Sequence, residues 1–317
     1  MRLSTSEPQL SRSAVTNSAL EIRLLGPFEV VAGGTLADVG GSKRQALLAM
    51  LALRRSHVVS VDALVDGLWS EELPAAPRNA IHHHIARLRA ALGEKSIVGS
   101  ADGYALTDAR VDAVRFEELL AETRAALRAG DPEAAADSVA QALALFRGPA
   151  LPGLADTDWL RAEATRLDAL HTDALEEHFE AALALGRHGE IVSAIRAAVD
   201  DSPFRERLHG QLMLALYRCG RQADALEAFR RARDILSEQL GLEPGPGLRR
   251  LERAILAHDP CIDVPAERSA GWDAPEPGAM PLDRREPLAD VLQLMREHLR
   301  RAEELYAQAV ASAAVTA

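Results

Sequence analysis

RNAIHHHIARLRAALG, residues 78–93, is the stretch whose reading decides the fold. Its apolar residues Ile81, Ile85, Leu88 and Leu92 recur at the spacing of one helix face, and Gly93 supplies a stop, so a helix is expected from about Arg78 to Leu92. With that stripe turned inward, Asn79, His83 and Arg87 fall one turn apart on the opposite side, flanked by Arg78, His82 and Arg89. A helix that enters a DNA major groove needs such a row. Arg clasps guanine O6 and N7, Asn clasps adenine N6 and N7, and flanking cations hold phosphates. On an isolated helix the same face would read as ordinary solvated surface, so its neighbours decide the matter.

Upstream, residues 21–41 alternate Ile22, Leu24, Phe28 and Val30 with polar or Gly/Pro positions, and Gly33-Gly34 marks a turn; a short antiparallel sheet is expected. Ser42 is expected to cap a helix from Lys43 to about Leu53, with Leu47, Leu48 and Leu51 on one apolar face. Val58-Val59 reads as an extended link. Ser60 opens a second helix with Leu64, Val65 and Leu68 inward, ended by Trp69. Residues 70–77 hold two acids and two prolines and form a loop. Downstream, Ser96-Ile97-Val98 and Tyr104-Ala105-Leu106 flank the Gly99–Gly103 turn as a hairpin. Strands, three helices and a closing hairpin make a winged helix-turn-helix, and in that order the outer face of the third helix becomes the recognition surface.

After Asp112 the strand pattern gives way to helical pairs. GRHGEIVSAI from Gly186 recurs in form as GRQADALEAF from Gly220, 34 residues on, which is the tetratricopeptide period. GDPEAAADSV from Gly130 has the same form. In each, a small or aliphatic residue (Ala135, Ile191, Ala225) follows the Gly by five positions, where the second helix of a pair presses on the first. A segment with Pro149, Pro152 and Trp159 interrupts the regularity. The module is expected to close near Leu256, followed by a Pro/Gly-rich linker. Leu288, Leu292, Met295, Leu299, Ala302, Tyr306 and Ala309 then alternate four-three along a short heptad seam, which fits either self-association or packing on the repeats. The division is a tail over residues 1–19, a DNA-binding domain over 20–110, a repeat domain over 111–258, a linker over 259–287 and an amphipathic helix over 288–313.

A chain of 317 residues with a net charge of −11 looks unsuited to nucleic acid until the charge is split. Residues 111–317 carry −12, residues 20–110 are neutral, and within 42–92 seven Lys/Arg face four Asp/Glu with four histidines besides. Lys43, Arg44, Arg78, His82 and Arg89 are therefore the candidate phosphate contacts. Two cysteines, Cys219 and Cys261, lack metal or disulfide spacing. The run His82-His83-His84 spreads about 100° per residue around a helix, too wide for one ion. The stretch GGSKRQ around Lys43 lacks the first Gly of a phosphate loop, and no hydrolase or dinucleotide fingerprint occurs, so neither enzyme activity nor a cofactor is expected. Asp156, Asp158, Glu176 and Glu177 read as solvated faces of repeat helices. Neither a signal peptide nor a membrane span is expected, which places the protein in the cytoplasm.

LLGPFEV (24–30), KRQALLAMLAL (43–53), VVSVDALVDGLW (58–69), RNAIHHHIARLRAALG (78–93) and GYAL (103–106) resemble the DNA-binding domain of the Streptomyces antibiotic regulatory proteins, whose winged helix is similar to those of OmpR and PhoB. VDAVRFEELL from Val111 and the repeats down to GLEPGPGLRRLERAIL resemble the bacterial transcriptional activator domain of that family. The resemblance implies an activator of a secondary-metabolite gene cluster. It would bind promoter direct repeats near the −35 region, as a homodimer or side by side, and recruit RNA polymerase holoenzyme. The loop before the recognition helix can touch polymerase in OmpR-type relatives; here it offers Ser70, Glu71 and Glu72. His83-His84 and the alanines at 80 and 86 depart from the family pattern, and the GSADG wing turn lacks a cation. The residues also leave open a protein-interaction scaffold or sensor built on the repeats, and a repressor using the same DNA-binding domain.

Overall fold

The computed structural model describes residues 20–54, 57–69, 73–154 and 157–263. The terminal tail 1–19, the loop residues Ser70, Glu71 and Glu72, Asp156, most of the linker and the heptad segment 288–313 lie outside the described residues. The described residues form a winged helix-turn-helix unit and an all-helical, tetratricopeptide-like unit; by packing, those of 20–23 and 28–111 make the first, and Leu24–Pro27 join those of 112–263 in the second.

In the first unit, β1 (Leu20–Arg23), β2 (Glu29–Ala32) and β3 (Thr35–Leu36) form the expected antiparallel meander. A fourth strand, β7 (Ala109–Val111), lies parallel to β1 and completes the order β3-β2-β1-β7. Sequence reading missed this strand, because three residues with one buried side chain carry no period. Helix α1 (Ser42–Leu53) begins at Ser42, with Gly41 at the capping position and no side-chain cap. Residues 46–52 are all buried, so α1 is enclosed on every side over that stretch and does not show the single apolar face expected.

Val59-Ser60 is a strand, β4, pairing with β6 (Gly103–Leu106), which in turn pairs with β5 (Ile97–Gly99). The hairpin read from sequence is thus the outer part of a three-stranded wing sheet. Ser60 caps α2 (Val61–Leu68), its hydroxyl accepting from the Ala63 amide at 3.1 Å. Helix α3 (Pro77–Leu92) starts with proline at its first turn, a position whose amide needs no partner, and ends at Gly93.

The second unit stacks α4 (Asp112–Ala129), α5 (Pro132–Leu143), α6 (Asp158–Ala184), α7 (His188–Asp201), α8 (Glu206–Arg218), α9 (Gln222–Leu240) and α10 (Pro246–Ala257). The repeat read from sequence has a direct backbone counterpart. Gly130, Gly186 and Gly220 end α4, α6 and α8 with φ of 74°, 74° and 73°, a left-handed conformation that glycine adopts without a Cβ penalty. Ala135, Ile191 and Ala225, five residues on, are 0 %, 3 % and 0 % exposed. The interrupting segment after α5 is irregular and packed down: Phe146 meets Phe116 edge-on at 4.9 Å, and Leu151 and Leu154 are buried. Phe179, Ile195, Leu208, Met213, Phe229 and Ile255 belong to the core under α6 to α10.

Glu176 and Glu177 are not on a solvated face. Their side chains are only 7 % and 11 % exposed, held by Arg205, Arg207 and Arg124, with Arg207 bidentate on Glu177 at 3.1 and 3.0 Å. Charge alone marked them as surface, but the opposing arginines 30 residues away allow their burial. Asp158, at 87 % exposure, is solvated as expected.

The strap Leu24–Pro27 is held through its backbone inside the second unit. The amides of Leu24 and Leu25 donate to the Asp112 carboxylate at 2.7 to 3.0 Å, and their carbonyls accept from Leu151 and Arg147 at 2.9 and 2.8 Å. Gly26, at φ 128°, lies against Arg147, where a Cβ would come within 2.8 Å of the Arg147 Cβ. The LLGP of the LLGPFEV motif is therefore spent on anchoring, not on the first sheet.

Candidate nucleic-acid interface

Helix α3 is seated by Ile81, Ile85 and Leu88, which are 0 %, 1 % and 0 % exposed and pack on α2 and α1; Leu92 is half-buried at the end of the same stripe. That burial fixes the helix rotation. Asn79, His83 and Arg87 then stand on the exposed side, and among the described residues none makes a hydrogen bond or ion pair. Their donors and acceptors are available to an outside partner without breaking an internal bond. Ala86, beside Arg87, is exposed and leaves the face unobstructed.

The five candidate phosphate contacts are placed differently from one another. Arg78 pairs with Asp62 on α2 at 2.6 Å, both side chains 66 % exposed, an ion pair worth at most about 1 kcal/mol. Lys43 points its ammonium at the carbonyl of Leu68, 2.8 Å away, where a cation satisfies the end of α2. Arg44 is half-buried and folds over Gly40. His82 and Arg89 face the wing. Nδ1 of His82 lies 2.6 Å from the Tyr104 hydroxyl, while Arg89 donates from Nε to the Ile97 carbonyl at 2.9 Å with its guanidinium 5.8 Å from the Tyr104 ring centre.

Tyr104 thus latches α3 to the wing sheet. Sequence reading placed it in a strand but gave it no role, and only its position across from His82 and Arg89 reveals one. The three consecutive histidines have three different surroundings: His82 meets Tyr104, His83 faces outward, and His84 is half-buried 6.4 Å from the Trp69 ring. Burial holds the His84 pKa below the usual imidazole value, helped by the neighbouring His83 and Arg44. In the wing turn the Ser100 hydroxyl accepts from the Asp102 and Gly103 amides at 3.3 and 3.2 Å, and the turn residues 99–103 include no Lys or Arg. The candidate polymerase-contact residues Ser70, Glu71 and Glu72 lie outside the described residues.

The arrangement is a rigid helix with one outward row of base-competent side chains, a cationic fringe, and a wing held beside it. Among the described residues no helix is long and apolar enough to cross a membrane.

Known proteins share this organisation. The family model for the C-terminal domain of transcriptional regulatory proteins matches residues 40–104, and that for the bacterial transcriptional activator domain matches residues 111–256. Regulatory protein DnrI of Streptomyces peucetius is 34% identical over 268 residues, an alignment covering 79% of this chain and 98% of DnrI. Regulatory protein AfsR of Streptomyces coelicolor is 36% identical over 257 residues, 80% of this chain, which spans only 26% of AfsR. The solved structure of Mycobacterium tuberculosis EmbR in complex with a low affinity phosphopeptide superposes with a TM-score of 0.72 at 35% identity, over 76% of this chain and 65% of that one.

Proposed function

We propose, from the premise that this chain belongs to the Streptomyces antibiotic regulatory protein family of transcriptional regulators, that it activates an antibiotic or other secondary-metabolite gene cluster by binding promoter DNA through α3. One observation carries the reading: Asn79, His83 and Arg87 form an exposed row with no internal hydrogen bond or ion pair among the described residues, on a helix whose other side is locked in the core. Arg78 supplies phosphate affinity after trading Asp62 for the duplex. Lys43 and Arg89 act chiefly by holding α2 and the wing in place, and their cations add to the local positive potential.

Two copies on direct repeats near the −35 region, with RNA polymerase holoenzyme recruited beside them, fit the family and a cytoplasmic location. Glu71 and Glu72 would meet polymerase. The test is footprinting of promoters next to the protein's own gene with wild type and Arg87→Ala. The substitution should weaken protection by about 1–3 kcal/mol and relax the preference at one base pair. Undiminished, equally selective protection would remove α3 from the major groove.

A further inference from the structure

Helix α10 differs electrostatically from its neighbours. On α4 and α6 and at the start of and along α9, several exposed arginines sit within ion-pair distance of a carboxylate one turn away: Arg115 with Glu118, Arg161 with Asp158, Arg166 with Glu163, Arg221 with Asp224 and Arg230 with Glu227, while among the described residues Arg128, Arg196 and Arg231 are exposed with no such pair but are not clustered with one another on one helix. Such alternation is how a solvated helix face is neutralised. On α10, Arg249, Arg250 and Arg253 are all exposed, and none of them ion-pairs with a carboxylate among the described residues. The one side-chain hydrogen bond among them runs from Arg253 Nε back to the Arg249 carbonyl of the same helix, at 3.4 Å.

Leu248 and Ile255 bury the inner side of α10 and fix its rotation. The three guanidiniums therefore share the outer side, where with Pro246 and Glu252 they line an open concavity of about 360 Å³. This arrangement works against the helix itself. Arg249 and Arg253 repel at i, i+4. It also stands out in a region, residues 111–317, whose net charge is −12.

We infer that this face of α10 is a second, sequence-independent binding surface for the phosphates of duplex DNA, an inference that rests on the DNA-binding reading above. An acidic protein segment is the less suitable occupant. Protein interfaces take their affinity from aromatic or aliphatic anchors seated in pockets. Here the concavity offers arginines, one glutamate and one proline, and the exposed apolar residue of the helix, Leu256, stands singly. Phosphate contact needs only the cations, and gains from the counterions they displace.

The experiment is a salt titration of the full chain on a random-sequence 40-base-pair duplex, read by fluorescence anisotropy. Arg249→Gln/Arg250→Gln/Arg253→Gln should make the slope of log affinity against log salt shallower by about 2 to 3, while the corresponding triple Lys variant keeps the wild-type slope. An unchanged slope in the Gln variant overturns the inference. If that variant binds polymerase less while its slope is unchanged, the face belongs to an acidic protein instead. A slope lost equally in the Lys variant also overturns it, since shape and not charge would then be responsible. Preference for promoter over random duplex, lost only on substitution in α3, reports separately on the proposed function.

Discussion

Replacing Asp112 by alanine should free the Leu24–Pro27 strap from the helical unit. The carboxylate accepts three backbone amides, from Leu24, Leu25 and Ala113, at 2.7 to 3.0 Å, and stands 3.9 Å from the Arg147 guanidinium. Leu24 and Leu25 are fully buried, so their amides would find no ready substitute; each stranded donor costs about 1–3 kcal/mol. The Ala113 amide belongs to the first turn of α4, which leaves donors unpaired by its geometry, so its loss counts for little. Some of the cost is returned. Burial pushes the Asp112 carboxyl above its ordinary pKa even though the three amides and Arg147 favour the charged form, so the buried charge is not fully compensated. The net expectation is about 2–4 kcal/mol for Asp112→Ala. Asp112→Asn keeps one acceptor oxygen and should cost about half of that. Native-state hydrogen exchange at Leu24 and Leu25 reads this directly, with protection falling roughly 30- to 1,000-fold in the alanine variant. Protection within threefold of wild type at both amides would refute the accounting.

Glu177→Gln removes the bidentate partner of Arg207; because Arg207 is 42 % exposed, water takes up part of the loss, and an unfolding shift of about 1–3 kcal/mol is expected by denaturant titration of the repeat unit. Tyr104→Phe loses the bond to His82 at an exposed site, so stability should change by less than about 1 kcal/mol, yet promoter affinity should drop as the wing loosens from α3, a split readable by combining melting with anisotropy. His178 is buried at Nδ1 without a hydrogen-bond partner, and burial, then the charge of Arg187, hold its pKa below the ordinary value. Its folded pKa being depressed, the unfolded chain binds the extra proton: the stability contribution is complete above about pH 6.5 and is lost as pH falls through the lower folded value. His178→Leu should therefore flatten the decline in stability below pH 6.5 relative to wild type, and parallel pH curves for the two would contradict this.

Much of this is legible in the sequence alone. The stripe Ile81, Ile85, Leu88 sufficed to orient α3, and with it the side on which Asn79, His83 and Arg87 stand, because helix period and burial are local properties. The glycine turns at 130, 186 and 220 were equally plain, since a left-handed residue followed by a small close-packed one leaves a fixed spacing. What escaped depended on partners far along the chain. Strand β7 exists because Val111 meets Ile22, and Glu176 and Glu177 are buried because arginines 30 residues on come to meet them. The strap looked like sheet, but its hydrogen-bond partners Asp112, Arg147 and Leu151 lie far along the chain, in the helical unit to which the strap itself belongs. Within the candidate site, residue type marked Lys43 and Arg89 as phosphate contacts, yet contacts to Leu68 and Ile97 already engage them.

The most direct measurement is a double-mutant cycle between Arg87→Ala and each single base-pair substitution across a footprinted promoter repeat. The account predicts one position, a guanine, at which the two changes are strongly non-additive by about 1–3 kcal/mol, and near-additivity elsewhere. Additivity at every base pair would mean that Arg87 touches no base, and that the outer face of α3 is not the reading surface.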